Sequence, residues 1–158
     1  MKDMHKDDIA GDYEEQTQTL SDGSSRQIFV TQEETAFPAG CLIVSQTDIN
    51  GIITEANDSF IKMSGYNREE IIGSPHAILR HPDMPAAAFA DLWQTLQAGK
   101  KWYGYVKNLR KDGGFYWVYA TAIPNVRDGV VKWRCLNRRE QSKGITEECK
   151  KLYSEMFN

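Results

Sequence analysis

The sequence predicts a single α+β domain in which an antiparallel sheet carries helices on one face. Three observations support this fold class. Two short strand-like runs joined by an Asn-Gly turn come first, a helical stretch follows, and three strand-like runs joined by Asp-Gly turns come last. Strands that follow one another through tight turns pair antiparallel. The helices between the two groups therefore cover one face of a five-stranded sheet.

The first two strands form a hairpin. Residues 41–45 are a short apolar run typical of a buried strand, and residues 48–51 carry the Asn-Gly pair of a tight turn. Residues 52–56 return as the second strand. The compact part of the chain therefore begins near residue 39.

Helices occupy the middle of the domain. Residues 57–72 predict short helical turns, and residues 84–97 predict a longer helix with Asp83 as its N-cap and Gly99 at its end. The apolar residues of the longer helix recur at helical spacing and form one face. They are Phe89, Leu92, Trp93 and Leu96.

Three strands complete the sheet, over residues 102–110, 115–123 and 130–137. An amphipathic helix is predicted from about residue 146. We divide the chain into a polar N-terminal leader or cap over residues 1–38, a sensor domain over residues 39–140 and a C-terminal helix or linker over residues 141–158. The acidic, Ser/Thr-rich leader has the composition of a flexible segment or lid.

Composition and motifs exclude several classes of function. The formal net charge of −3 does not favour a nucleic-acid partner, which would require a basic surface. The sequence has no phosphate-binding loop, no dinucleotide-binding glycine motif, no Gly-x-Ser-x-Gly element and no paired metal-ligand motif. The three cysteines are far apart, which suits a reducing cytoplasm. We therefore predict a protein that is not an enzyme, holds no metal ion and lies in the cytoplasm.

Strand alternation gives one face of the sheet small side chains. The residues on this face are Gly104, Val118, Ala120 and Ala122. Glycine inside a strand often marks a close approach of another group to the backbone. The space above this face is filled either by a flat ligand or by Trp93, Trp102 and other helix-side residues, and the alternation alone does not separate these alternatives.

Asn108 lies on the same face of its strand. A buried amide without a partner is costly, and the Asn side chain offers both donors and an acceptor, as the polar edge of a flavin ring requires. The competing interpretation is an Asn that satisfies the backbone of a loop.

The opposite face of the sheet is aromatic, with Phe115, Trp117 and Tyr119 on one strand. Such a face predicts a dimer contact, a docked terminal segment or a partner domain. The alternative is a partly exposed aromatic ladder that stabilises neighbouring strands.

Several motifs resemble a known family. Residues 56–60, 64–66 and 69–73 are similar to the PAS domain pattern. Residues 75–85 (PHAILRHPDMP), with 89–93 and 106–113, resemble more specifically the PAS domain of bacterial aerotaxis receptors. The resemblance extends from about residue 38 to the end of the chain. It implies the PAS fold and non-covalent FAD as a redox sensor.

The resemblance also implies a set of cofactor-binding residues. Arg80, His81 and Asp83 match the family's Arg-His-Pro-Asp stretch, and Asn57, Trp93 and Asn108 match further family positions. The Arg80 guanidinium could pair with the pyrophosphate of FAD or, alternatively, join a local ion pair with Asp83. Trp93 and Trp102 offer flat surfaces for stacking on the cofactor, and either one is equally suited to the core.

The function implied is a flavin-binding sensor that reports redox, oxygen or energy state to a chemotaxis-type partner. The partner is a HAMP or chemoreceptor signalling domain in the same or a separate chain, with homodimerisation as a further arrangement, and the sensor is cytoplasmic even if its receptor is anchored to a membrane. Two alternatives remain: a haem sensor with His76 or His81 as the axial ligand, and a ligand-free PAS dimerisation module. Light-sensing relatives carry a reactive cysteine where this chain has His76, so a light-driven thiol adduct is not expected.

Overall fold

The computed structural model describes residues 1–20, 22–38 and 40–138. Its strands are β1 Glu14–Thr19, β2 Ser25–Val30, β3 Leu42–Thr47, β4 Ile53–Ala56, β5 Trp102–Leu109, β6 Phe115–Arg127 and β7 Val130–Arg138. Its helices are α1 Asp58–Ser64, α2 Arg68–Ile71 and α3 Ala86–Gln97, with 3₁₀ turns at Lys6–Asp8 and His76–Leu79. The predicted C-terminal helix lies outside the described residues.

The main sheet confirms the predicted α+β class. Its five strands run in the order β4-β3-β7-β6-β5, and each neighbouring pair is antiparallel. The chain forms β3 and β4, continues through the helices, and returns to the sheet at β5. Strands β5, β6 and β7 then follow in order, and β7 pairs with β3 in the centre of the sheet. The helices and the main core lie on the face that carries Val106, Ala120 and Ala122.

The helical segment begins and ends through local capping. The Asn57 side chain accepts a hydrogen bond from the Phe60 backbone N–H and caps α1, and Asn67 with Glu70 forms a reciprocal capping box on α2. The predicted N-cap of α3 is wrong, because α3 starts after Pro85, and the side chain of Asp83 pairs instead with Lys107 Nζ at 2.8 Å. Pro85 suits this position, since the first helical turn needs no N–H donor there.

The N-terminal segment, expected to be a flexible leader or lid, contains a docked antiparallel hairpin of β1 and β2. Ile28, Phe29 and Val30 pack with Leu109 in a second hydrophobic cluster. Arg26 is 2 % exposed, and its guanidinium donates to the Ile78 carbonyl at 2.8 Å and to Gln18 Oε1 at 3.1 Å. The hairpin is therefore held by buried hydrogen bonds as well as by apolar burial.

The chain between this hairpin and β3 docks on the main sheet. Glu34 forms a parallel bridge with Phe115, and the Thr35 N–H donates to the Phe115 carbonyl at 2.8 Å. Since β6 pairs with β7 only from Tyr119 onward, this segment satisfies the part of β6 that β7 leaves uncovered. Phe37, which is buried in the main core, follows directly.

The aromatic face of β6 is covered to different extents along the strand. Trp117 is 6 % exposed and belongs to the main core, whereas Phe115 and Tyr119 are half-buried. Tyr119 makes an edge contact with Tyr105 at 5.1 Å between ring centroids, and Lys107 Nζ lies 4.2 Å from the Phe115 ring centroid. The described residues show one part of this face as an aromatic ladder, in the contact between Tyr105 and Tyr119, and another part as core, at Trp117. Among those residues, no helix is long and apolar enough to cross a bilayer.

Candidate functional site

A cavity of about 290 Å³ lies between the inner face of the main sheet, helix α3 and the His76–Leu79 turn. Its size is near the lower end of the range for small-molecule sites. Much of its wall is apolar, and Leu20 closes one side from the loop of the N-terminal hairpin. The apolar wall includes Leu79, Phe89, Leu92, Leu96, Val106 and Ala120.

Asn108 brings an unsatisfied amide to this cavity. Its side chain is 3 % exposed, and among the described residues Nδ2 has no hydrogen-bond partner. Tyr116, its partner on β6, is fully buried, and its hydroxyl also lacks a partner with good hydrogen-bond geometry. Burial raises the pKa of Tyr116 far above its usual value, and the neighbouring Asn108 amide offsets part of this rise. Because orphaned buried donors are costly, a polar ligand edge at this place fits the residues present.

Arg80 lines the cavity beside Asn108, to which its backbone bridges. The guanidinium carbon lies 5.0 Å from the Phe89 ring centroid, and within the described part of the chain Arg80 forms no ion pair. The expected alternative of a local pair with Asp83 is therefore not what the structure contains, since Asp83 pairs with Lys107. The guanidinium donors remain available for an anionic group of a ligand.

Trp93 forms part of the opposite wall. Its ring packs on Trp133, with 4.7 Å between ring centroids and an interplanar angle of 49°. The backbone of Gly51 approaches the edge of the same indole, so that a Cβ there would lie 3.2 Å from Trp93 Cη2. Trp93 is therefore both a cavity residue and a packing residue.

His76 also lines the cavity, and its Nε2 lies 3.3 Å from Ser45 Oγ. Burial lowers the pKa of His76 to about 4, so the ring is neutral at pH 7. A nitrogen already paired with Ser45 is less suited to serve as a haem ligand.

His81 and Asp83 do not line the cavity. His81 is 1 % exposed, and its Nδ1 accepts a hydrogen bond from the Asp83 N–H at 3.0 Å. Burial, with a smaller contribution from the Lys107 charge, lowers the pKa of His81 to about 3. These two residues shape the loop that leads from the His76–Leu79 turn into α3.

Asn57 and Trp102 also lie outside the cavity wall. Besides capping α1, Asn57 accepts from the Val44 N–H and donates to the Leu42 carbonyl, which ties the helix to β3. The Trp102 indole N–H donates to Asp91 Oδ2 at 2.8 Å and so anchors β5 to α3. Of the seven predicted cofactor residues, the structure thus brings Arg80, Trp93 and Asn108 to one cavity.

Trp102 explains the glycine in β5. The outer edge of its ring reaches Gly104, where an added Cβ would clash with Trp102 Cη2 and stand 2.7 Å from Cζ2. One part of the small-residue face is therefore covered and another part is open. Trp102 covers Gly104, whereas the cavity lies over Val106 and Ala120.

We expect Gly104→Ala to destabilise the domain. The added methyl group must displace an indole that Asp91 holds by a hydrogen bond. Overpacking of this kind costs about 1–3 kcal/mol. Urea denaturation measures the change, and a variant that also carries Trp102→Leu should recover part of the loss caused by the methyl group. Wild-type stability of Gly104→Ala would show that the indole moves without cost.

The residues of the cavity wall that sequence reasoning missed include Leu20, Thr47, Trp133 and Cys135. Alternation in the last strand would have placed Trp133 and Cys135 on one face, whereas Leu20 is brought in by a hairpin that was not predicted. Burial raises the pKa of Cys135 to about 11, which keeps this thiol protonated at pH 7. Among the described residues, no three His, Cys, Asp or Glu side chains are grouped to hold a metal ion.

Comparison with known proteins agrees with this architecture. Residues 53–137 match the model of the PAS fold family. The chain is 50 % identical over 103 residues to the aerotaxis receptor of Escherichia coli (strain K12), covering 65 % of this chain and 20 % of the receptor. It is 36 % identical over 83 residues to the biofilm dispersion protein BdlA of Pseudomonas aeruginosa, covering 52 % of this chain and 20 % of that protein. The chain thus spans about a fifth of the length of these relatives.

A solved structure gives the same fold. It is a light-oxygen-voltage domain studied with a flavin analogue, with a TM-score of 0.60 and 22 % identity over 72 % of this chain and 87 % of that one. At this identity the similarity concerns the fold alone. The family match covers more than half of the chain, and the two relatives are an aerotaxis receptor and a biofilm dispersion protein. This chain therefore belongs to the PAS fold family and is a PAS domain of the aerotaxis-receptor type.

Proposed function

We propose that this chain is a flavin-binding PAS sensor that holds FAD without a covalent bond and reports redox, oxygen or energy state to a chemotaxis-type partner. The observation that carries the proposal is the buried Asn108 amide, whose Nδ2 has no well-formed hydrogen bond among the described residues, in the wall of a largely apolar cavity. Such a cavity suits a flat ring system with one polar edge. A light-oxygen-voltage domain studied with a flavin analogue has the same fold, so the fold is compatible with a ligand of this class.

Each cavity residue has a separate part in this proposal. Asn108 would hold the polar edge of the ring, Trp93 would pack against its face, and Arg80 would pair with the phosphates. The apolar wall excludes water from the ring. When bound, the flavin supplies reversible acceptance of electrons and protons. We propose a sensor and not an enzyme.

The signal would leave through the elements that contact Asn108. Its backbone bridges to Arg80, and the Arg80 carbonyl accepts a hydrogen bond from Gln18 Nε2 of the N-terminal hairpin at 2.9 Å. A change in the hydrogen bonding of Asn108 would therefore change the contacts that join Asn108, Arg80 and Gln18, and so favour one of two conformations of the N-terminal hairpin relative to the sheet. We retain the division into a cap over residues 1–38, a sensor over 39–140 and a C-terminal connection over 141–158 as part of the proposal.

The partner in this proposal is a HAMP or chemoreceptor signalling domain, in the same chain or in a separate one. Homodimerisation of the sensor is a further arrangement, and a cytoplasmic location follows from the receptor type. These statements concern the activity of a whole receptor. The regions that match this chain make up about a fifth of the length of each relative.

The absorption spectrum of the purified protein tests the ligand class. We expect flavin bands, and we expect chromatography of the cofactor released by denaturation to give FAD and not FMN, because residues 80–85 resemble the corresponding stretch of the FAD-binding aerotaxis family. A haem Soret band would identify the alternative sensor. A protein that stays colourless after incubation with FAD, FMN and riboflavin would refute the proposal.

A further inference from the structure

Strands β6 and β7 extend beyond the rest of the main sheet at one end. The pairing of β5 with β6 stops at Trp102 and Ala122, and the pairing of β3 with β7 stops at Thr47 and Trp133. Beyond these points, within the described part of the chain, β6 and β7 pair only with each other, up to the turn that joins them. The pairs nearest the turn, over residues 125–132, extend about 10 Å at roughly 3.4 Å per residue. We call residues 125–132 the β6–β7 tip.

The turn of the tip has a defined conformation. Asp128 and Gly129 have φ angles of +53° and +76°, as in the two-residue type I′ turn that matches the twist of a hairpin. Val126 and Val131 are directly paired, so their side chains leave the same face, and Val130 leaves the other. Val126 is 64 % exposed, Val130 55 % and Val131 38 %. The tip therefore presents aliphatic side chains to solvent on both of its faces.

Two further loops lie at the same end of the sheet. The turn after β3 follows the last β3 residue that pairs with β7, and it carries Ile49, which is 61 % exposed. The loop from α3 to β5 carries Lys100 and Lys101, directly before the first β5 residue that pairs with β6. Exposed apolar side chains and cationic side chains therefore occur together at this end.

The charge of this end is opposite in sign to that of the chain. Residues 48–52, 98–101 and 123–134 together contain five cationic side chains and two carboxylates, whereas the whole chain has a formal net charge of −3. The cations are Lys100, Lys101, Arg127, Lys132 and Arg134, and the carboxylates are Asp48 and Asp128. Among the residues that the structure describes, none of these cations forms an ion pair. An anionic surface is therefore the complementary partner.

The composition of this end favours a lipid surface over an acidic protein. The cores of protein interfaces are rich in Tyr, Trp and Arg and poor in Lys. The tip and its neighbouring loops instead combine aliphatic residues with lysines on a narrow projection, and exposed apolar groups beside Lys and Arg are what peripheral segments use to enter the headgroup region of an anionic bilayer. The length of the tip is also close to the depth of about 5–10 Å to which such segments enter.

We propose that the β6–β7 tip and the two loops beside it bind the surface of an anionic phospholipid bilayer. Val126, Val130 and Val131 enter the boundary between headgroups and acyl chains, and the surrounding cations contact the lipid phosphates. The binding is peripheral and reversible, since three valines bury far less apolar area than a spanning segment. The N-terminal hairpin is then directed away from the bilayer, because it packs against Leu109 at the other end of β5. This inference does not depend on the cavity or on its cofactor.

Sedimentation with vesicles tests the inference on the purified full chain. We expect binding to vesicles of equal parts phosphatidylglycerol and phosphatidylcholine, little binding to pure phosphatidylcholine, and weaker binding as salt is raised. Lys132→Gln should lower the affinity for the anionic vesicles about fivefold, the effect of one cation near a charged surface. Val126→Ser should lower it about three- to fivefold through lost apolar burial. Urea denaturation should give wild-type stability for Val126→Ser, since this side chain is exposed.

Lys62→Gln and Leu42→Ser are the matched controls, because each makes a comparable change at an exposed residue away from the tip. Leu42 pairs with Arg138 at the far end of β7, and neither control should alter vesicle binding. A wild-type chain that does not sediment with anionic vesicles, or equal losses in tip and control variants, would overturn the inference. A loss in Lys132→Gln with none in Val126→Ser would also overturn it, since the valines would then not enter the bilayer. Binding of poly-L-glutamate in the absence of vesicle binding would assign the tip to an acidic protein instead.

Discussion

Trp117→Ala should lower the free energy of unfolding by about 3–5 kcal/mol, the usual effect of truncating a buried Trp. The indole is 6 % exposed and belongs to the main core although it lies on the face of the sheet opposite Asn108. From the sequence, this side chain was expected to face a second copy, a docked terminal segment or a partner domain, or to belong to a partly exposed aromatic ladder. Its burial makes it a stability residue, and urea or thermal denaturation of the apo-protein measures the effect.

Tyr119→Ala is the comparison variant, because Tyr119 lies two residues along the same strand and is only half-buried. Its replacement should cost markedly less stability, since its main aromatic contact is with the neighbouring Tyr105. Tyr105 also has an exposed neighbour on β5, Tyr103, so this part of the face retains surface for a partner or a second copy. Equal losses in the two variants would show that the difference in burial between Trp117 and Tyr119 does not determine their contribution to stability.

Most of the main sheet could be predicted from the sequence because its turns are marked by local chemistry. The Asn50-Gly51, Gly113-Gly114 and Asp128-Gly129 pairs each stand where the chain reverses, and the strands between them alternate or are continuously apolar. Gly113 has a φ of +84°, which few residues other than glycine adopt at low cost.

The N-terminal hairpin could not be predicted in the same way. Glu14–Thr19 contains only Glu, Gln and Thr, so it carries no apolar alternation, and its burial comes from Gln18 and Leu20 against other elements. Gln18 is buried only because Arg26 and the Arg80 carbonyl satisfy its amide. Long-range polar satisfaction of this kind leaves no periodic signal in a sequence.

The candidate site was predictable where it follows strand alternation. Asn108 reaches the cavity because it shares a strand face with Val106, and Trp93 reaches it because it shares a helix face with Phe89 and Leu96. Asn57 has a different use, since a residue before a helix serves equally well as a cap. Family similarity does not distinguish residues that touch a cofactor from residues that hold the loops around it.

Asn108→Ala should reduce flavin affinity by about tenfold or more. The amide Nδ2 has no well-formed hydrogen bond among the described residues, and truncation of the side chain removes a donor and an acceptor from the cavity wall together. A hydrogen bond whose loss leaves a buried partner unpaired costs about 1–3 kcal/mol, and 1.4 kcal/mol corresponds to tenfold in affinity. Titration of flavin into apo-protein measures the change. The fold should survive, because the β5 backbone and its pairing with β6 do not depend on the amide.

Asn108→Asp separates loss of hydrogen bonding from loss of volume. The carboxylate keeps the shape of the amide but has no donors, and its negative charge beside the ring opposes the addition of electrons. We therefore expect weaker flavin binding together with a midpoint potential more negative than that of the wild-type protein, whereas Asn108→Ala should change affinity without this electrostatic shift. If both variants keep wild-type affinity and potential, Asn108 serves the scaffold, and the cavity holds its ligand by other groups.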